Sequence, residues 1–346
     1  MSMEAYILSR NVKNIILFIL TASLIAIFAT YFGNVLRPTE TDINVINIET
    51  FHELPKDSVE VVMFGSSRMW RGVNTMEMYD KYGVGAYNYA CNWQHINTTS
   101  MFVEDAFKTQ SPKLVIIDDT NAADPLSGVD MDGEVYYTKA IPWSKTKLKC
   151  VRQYFGRNLE RYFSYFVPLC AFHENWQNVS IDNFNDKNIR VDFLADDKDA
   201  DAYEFRRTMG FGDTDIVTKV NIGDWHDFAQ APFEEYATNT LDDIVNMCKA
   251  NGAMILFVTI PFEGESANIE AMSTYAQANG CDYINLYGFM DEICLDPGSD
   301  FGDPSHLNTS GATKVADFLG QYIVEHYELT DYRNIDGNLW AAGEWR

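Results

Sequence analysis

Residues 59–67, VEVVMFGSS, read as a short β-branched run, Val59–Phe64, that stops at Gly65 and passes into a helical stretch. Four further runs of the same kind lie along the chain: Val84–Ala90, Leu114–Ile117 behind Pro112, Ala253–Ile260, and Tyr283–Leu286. Helical segments separate them. Ala231–Ala250 is amphipathic and ends at Asn251-Gly252, a helix stop, while Thr309–Tyr327 forms a terminal helix. Strands alternating with helices predict a parallel sheet covered on both faces, with reactive groups outside the carboxyl ends of the strands. Between the third and fourth strands about a hundred residues, 122–230, are inserted. They hold an aromatic helical run, Lys147–Trp176, followed by a polar Asp- and Asn-rich stretch. A connection of that length is usually a lid or binding element, so a substrate-covering subdomain is expected.

The 346 residues are 47% hydrophobic and 22% charged, a globular composition. Asp and Glu number 50 against 26 Lys and Arg, a formal charge of -24. A chain so acidic is repelled by phosphate backbones, and no basic patch offsets this, so nucleic acid is excluded as a partner. Residues 15–33, IILFILTASLIAIFATYFG, carry no charge. Nineteen residues of helix reach about 28 Å, close to the ~30 Å hydrocarbon core of a bilayer. With Arg10 and Lys13 before it, and Arg37, Glu40 and Asp42 after it, the positive-inside bias sets the N-terminus in the cytoplasm. The expectation is a single-pass anchor with everything beyond residue 34 extracytoplasmic. A cleaved signal peptide is the alternative, against which stand the long apolar stretch and the want of an A-x-A site. The organisation predicted is a cytoplasmic stub and anchor (1–33), a polar stalk containing Pro38 and Pro55 (34–57), one α/β domain (58–330) and a C-terminal tail (331–346).

Cys91, Cys150, Cys170, Cys248, Cys281 and Cys294 lie far apart with no metal-type spacing, and most are expected to be small buried hydrophobes. The acidic run Asp196–Asp201 lacks the glycine and distal glutamate of an EF-hand and reads as a solvated loop. His173 and His226 lack ligand spacing. Trp70, Trp93, Trp143 and Trp225 read as packing residues before they read as a platform for sugar rings.

Chemistry gathers in four short blocks. Gly65-Ser66-Ser67 places a hydroxyl where a strand opens into a helix, near N–H groups able to receive an anion; the plain alternative is an N-cap serine. Asp303-Pro304-Ser305-His306-Leu307-Asn308 spaces a carboxylate and an imidazole to meet within one turn, so that Asp303 holds His306 in the tautomer of a general base. Asn121, after Asp118-Asp119-Thr120, offers an amide to a developing oxyanion, or else is a turn residue. Asn88-Tyr89-Ala90, closing the second strand, offers a backbone N–H to the same place.

The ordered set G-S-S, N-Y-A, D-T-N and D-P-S-H-L-N resembles the SGNH (GDSL-type) hydrolase superfamily over residues 58–125 and 240–327. The D-x-x-H-L-N ending, the large insertion and the N-terminal anchor resemble its DltD-like, polysaccharide O-acetylation branch. The resemblance implies a three-layer flavodoxin-like fold with a five-stranded parallel sheet, Ser67 as nucleophile, His306 as base and Asp303 as its partner. It implies an oxyanion hole from the N–H groups of Ser67 and Ala90 and the side chain of Asn121. Ser66, Arg68, Trp93 and His95 are possible substrate contacts, and His95 alternatively a structural histidine. No cofactor and no metal is required. Two departures stand out. Ser66 occupies the family's usual Asp position, which leaves Ser66 an alternative nucleophile, and Ala90 replaces a usual glycine, where a methyl crowds the hole if φ is positive. The expected activity is that of an extracytoplasmic serine esterase or acyltransferase on ester groups of a cell-envelope or exported polysaccharide. The alternative is a non-catalytic accessory protein partnering a membrane O-acyltransferase.

Overall fold

The computed structural model describes residues 3–36, 43–124, 126, 137–184 and 207–341. The acidic run Asp196–Asp201 lies outside them. Two compact units emerge: residues 1–41 with 155–194, and residues 42–154 with 195–346.

The second unit carries the sheet. Five strands, β1 (Val61–Phe64), β2 (Ala86–Asn88), β3 (Leu114–Asp118), β4 (Met254–Thr259) and β5 (Asp282–Asn285), run in the order β2-β1-β3-β4-β5 and all pair in parallel. This is the flavodoxin-like order, with its crossover between β1 and β3. The predicted strands all form, each within a residue or two of the apolar run that announced it. Side chains of β1 and β3 are buried on both faces, which is why those runs are continuously apolar rather than alternating. Helices Thr75–Tyr82, Ile96–Thr109, Glu235–Asn251, Ile269–Asn279 and Thr309–His326 flank the sheet. Gly252 closes the Glu235–Asn251 helix in a left-handed cap, as Asn251-Gly252 predicted.

Three boundaries differ from expectation. Within the stretch expected as a polar stalk (34–57), of which 37–42 lie outside the described residues, Ile43–Glu53 is a helix whose Val45, Ile46, Ile48 and Phe51 are buried. Its polar residues are spent inward. Asn47 Nδ2 donates to Ala90 O at 2.8 Å and Asn88 O at 3.1 Å, Tyr87 OH donates to Asn47 Oδ1 at 2.8 Å, and Phe51 stacks on Tyr89 at 3.9 Å. Residues 331–341 are likewise no free tail, since Trp340 is buried against Tyr332 and donates its indole N–H to Ala86 O at 3.0 Å. The far end of the insertion is built into the domain: Gly212 N donates to Trp70 O, Thr218 N to Phe301 O and Thr309 N to Thr214 O, at 2.7–2.9 Å. Of the six cysteines, all free, Cys91, Cys150 and Cys248 are buried, while Cys170 and Cys294 are exposed.

The first unit contains the helix Met3–Val35 and short helical segments of the insertion between 159 and 184, whereas the insertion's helix Lys145–Phe155 lies almost wholly in the second unit. The span Asn11–Val35 is long and apolar enough to cross a membrane. Asn175 Nδ2 donates to Leu36 O at 2.8 Å just past its end.

If helix 43–53 belongs to the folded domain, Phe51→Ala removes a fully buried ring and costs about 3–5 kcal/mol. Denaturant unfolding of the full chain in detergent measures this; an unchanged midpoint would restore the stalk.

Candidate active site

The site is built where β1 ends. Gly65 has φ +145°, and a Cβ there would lie 2.5 Å from Asp118 Cβ, so only glycine lets β1 turn this close to β3. Gln94 Oε1 accepts from Gly65 N at 2.9 Å. Asp118, at the carboxyl end of β3, takes the Ser66 hydroxyl at 2.8 Å and the Ser66 N–H at 3.3 Å. Ser66 Oγ in turn accepts from Arg68 N at 3.2 Å and caps the one-and-a-half-turn helix Ser67–Gly72. The two serines of the G-S-S block are placed differently. Ser66 is the cap, buried and committed to Asp118; Ser67, the first helical residue, is the one that faces the imidazole.

That imidazole comes from a hairpin. Strands β6 (Phe301–Asp303) and β7 (His306–Leu307) pair antiparallel with Asp303 opposite His306. The carboxylate and ring thus meet across a tight Pro304-Ser305 turn of a β-hairpin, not along a helical turn; a three-residue offset serves both geometries. His306 Nδ1 lies 2.8 and 2.9 Å from the two Asp303 oxygens, and His306 Nε2 lies 2.7 Å from Ser67 Oγ. Ser305 N donates to Asp303 Oδ1 at 2.8 Å, and Arg71 Nη1 stands 3.6 Å from Asp303 Oδ2. Asn308 then caps the last helix through Gly311 N and secures the hairpin by donating to Ser299 O and Ile216 O.

Charge states suit proton transfer. Burial lowers the His306 pKa below the usual histidine value; hydrogen bonding and charge at Asp303 oppose this, while Arg71 and Arg68 reinforce it. Burial would raise the Asp303 carboxyl, but the hydrogen bonds from His306 and Ser305 N and the charges of His306 and Arg71 hold it below the usual carboxylate range. Near neutral pH the pair is a neutral imidazole on an ionised carboxylate. A hydroxyl, an imidazole and a carboxylate in this series can move a proton off Ser67 Oγ.

The other predicted residues divide. Ala90 is buried and does not have positive φ, so its methyl meets no backbone strain. Asn121 Nδ2 donates weakly, at 3.4 Å, to Gln94 O. His95 is buried: it caps the Ile96–Thr109 helix, its Nε2 lies 2.9 Å from Asp124 O, and Tyr236 packs beside it. Trp93, at φ 56°, is 69% exposed. Trp70 is buried with its indole N–H on Asn92 Oδ1, and Trp143 is half-exposed with Lys147 Nζ 4.6 Å over its ring. Arg68 lies at the site, its guanidinium 3.6 Å above the Phe262 ring. Sequence reasoning missed Asp118 and Gln94 as the supports of the Gly65-Ser66 turn. The available signal was an acidic residue closing an apolar strand beside the one that ends in glycine.

No family model and no curated protein matches the chain. Among solved structures it is similar to one from Bacteroides fragilis whose description proposes an acylhydrolase, at 13% identity and a TM-score of 0.38 over 80% of this chain and 94% of that one. A likeness at that level carries no functional argument.

The His306 ring is expected to titrate below the ordinary histidine value of about 6.5, and lower still in Asp303→Asn, which removes the interactions that raise it. A histidine NMR titration of the full chain checks this. A rise in Asp303→Asn would contradict the charge assignment.

Proposed function

We propose that this chain is a membrane-anchored serine esterase or O-acyltransferase of the SGNH class, acting outside the cytoplasm on acetyl or acyl esters of a cell-envelope or exported polysaccharide. The observation that carries the reading is the 2.7 Å approach of His306 Nε2 to Ser67 Oγ, with Asp303 on the other ring nitrogen. The flavodoxin-like strand order, and the site at its carboxyl edge, support it. The Asn11–Val35 helix supports an anchor. A membrane O-acyltransferase is the partner this reading calls for if acyl groups are delivered rather than removed.

In this mechanism Ser67 Oγ attacks the ester carbonyl carbon and its proton passes to His306 Nε2. The new C–O bond gives a tetrahedral oxyanion, which the N–H groups of Ser67 and Ala90 and the Asn121 amide would receive. For Asn121 this means releasing its long bond to Gln94 O. Collapse breaks the bond to the leaving alkoxide, which takes the proton from His306. Water or a sugar hydroxyl then gives its proton to His306, attacks the acyl-enzyme, and regenerates Ser67 as the proton returns to Oγ. Ionised Asp303 holds the ring and stabilises the imidazolium between steps. Ser66, its hydroxyl given to Asp118, positions the turn and does not attack.

Fluorophosphonate labelling of the full chain tests this. Label is expected on the parent chain and absent from Ser67→Ala and His306→Ala; Ser66→Ala keeps label at a lower rate. Ester turnover in Ser67→Ala is expected to fall by ~10⁴-fold or more. Undiminished labelling of Ser67→Ala would exclude the assignment.

A further inference from the structure

The six-residue helix that begins with Ser67 carries two arginines on the rim of the site, Arg68 and Arg71. In a chain of net charge -24, both would be expected to sit in ion pairs, yet their surroundings are poor in them. Among the described residues Arg68 makes no ion pair, and the Nε atoms of both arginines have no hydrogen-bond partner. Arg71 has one carboxylate neighbour, Asp303, at 3.6 Å, and that carboxylate already holds His306 and Ser305 N. Asp118, Asp124 and Asp119 act on Arg68 through their charge without forming an ion pair with it. Of these, Asp118 takes Ser66 and Thr120, and Asp119 is buried with Thr259 donating to both its oxygens.

The Arg68 guanidinium carbon sits 3.6 Å over the centroid of the Phe262 ring, and the backbone N–H of Phe262 donates to Tyr287 OH at 3.1 Å. Gly264, at φ +155°, passes so close that a Cβ would lie 2.4 Å from the ring. Glu263 N donates to Pro304 O at 2.7 Å, which ties this loop to the Asp303–His306 hairpin. A guanidinium stacked on an aromatic ring keeps its edge for a planar anion, and carboxylate or phosphate is what that fork fits.

We propose that Arg68 and Arg71 form an anion-recognition subsite beside Ser67, so that the ester turned over carries a carboxylate or phosphate near its scissile group. This rests on the esterase reading above and adds its substrate class: an acidic acyl group, or an acidic sugar or phosphate-bearing acceptor. The cationic rim would also draw an anionic polymer to one point of an otherwise repelling surface.

The test compares each anionic ester with its neutral methyl-ester counterpart on the full chain in detergent. 4-Nitrophenyl hydrogen succinate against 4-nitrophenyl methyl succinate places the anion on the acyl side; 4-acetoxybenzoate against its methyl ester places it on the leaving side. In one of the two pairs the anionic member is expected to have the higher kcat/KM, by about tenfold to a hundredfold after correction for the methyl-ester background. Arg68→Gln should abolish that ratio, Arg68→Lys should keep part of it, and the affected pair identifies which side bears the anion. Succinate is also expected to slow fluorophosphonate labelling of the parent chain, and not of Arg68→Gln. Labelling with no anion preference in either pair and no protection by succinate overturns the subsite and leaves the esterase reading standing, as does a preference that survives in Arg68→Gln. Loss of both labelling and turnover of all four esters overturns the esterase reading and the subsite with it.

Discussion

One carboxylate, Asp118, decides where the reactive turn stands. It closes β3 and accepts from Ser66 N and Ser66 Oγ at the end of the neighbouring strand β1, with Thr120 N and its hydroxyl on the other oxygen. A buried carboxyl group that takes four donors is costly to disturb, because each lost donor leaves a buried acceptor unsatisfied. The Gly65-Ser66 turn is therefore clamped from below, and Ser67 is left as the one hydroxyl of the pair turned to the imidazole. An aspartate at 66 would set two carboxyl groups against each other; serine supplies a donor to Asp118 instead.

Asp119 does the matching work on the opposite flank of β3. Thr259 Oγ1 of β4 donates to both its oxygens, and Asn268 Nδ2 donates to its backbone carbonyl. Burial, and then the charge of Asp118, push the Asp119 carboxyl well above its ordinary range. The two adjacent acids thus serve different neighbours: Asp118 is surrounded by donors and grips β1, while Asp119 grips β4. Together they fix the three central strands at the edge where the chemistry sits.

Much of this was legible in the residues. Strands buried on both faces announce themselves as apolar runs, and Ser67, His306 and Asp303 lie at spacings that chemistry recognises. What stayed hidden has a common cause: polar residues that look solvated but are turned inward. The helix 43–53, INVINIETFHE, reads as a linker because Asn44, Asn47 and Thr50 break its apolar stripe, yet all three are buried, and Asn47 pairs with the backbone at the end of β2. Asp118 and Gln94 were overlooked likewise, since Gln94 takes the Gly65 N–H and Asp118 takes backbone N–H groups and hydroxyls of Ser66 and Thr120, pairings that no spacing of residues reports. The Asp303–His306 pair was found but given the wrong local geometry, because sequence offset does not separate a helical turn from a tight hairpin.

That hairpin explains how the pair keeps its alignment without deep burial. Asp303 is 40% exposed along its side chain, where solvent screening weakens any single ion pair, while His306 is 19% exposed. Coulomb attraction alone would be a poor guide for the ring. The guide is the turn itself: Asp303 and His306 are paired across two short strands, Ser305 N–H takes one carboxylate oxygen, and Asn308 fixes the strand beyond by three backbone contacts. Orientation is thus set by backbone constraint, and the carboxylate remains open enough for Arg71 to approach it. An exposed acid and an approaching guanidinium leave this edge of the hairpin polar and reachable from solvent.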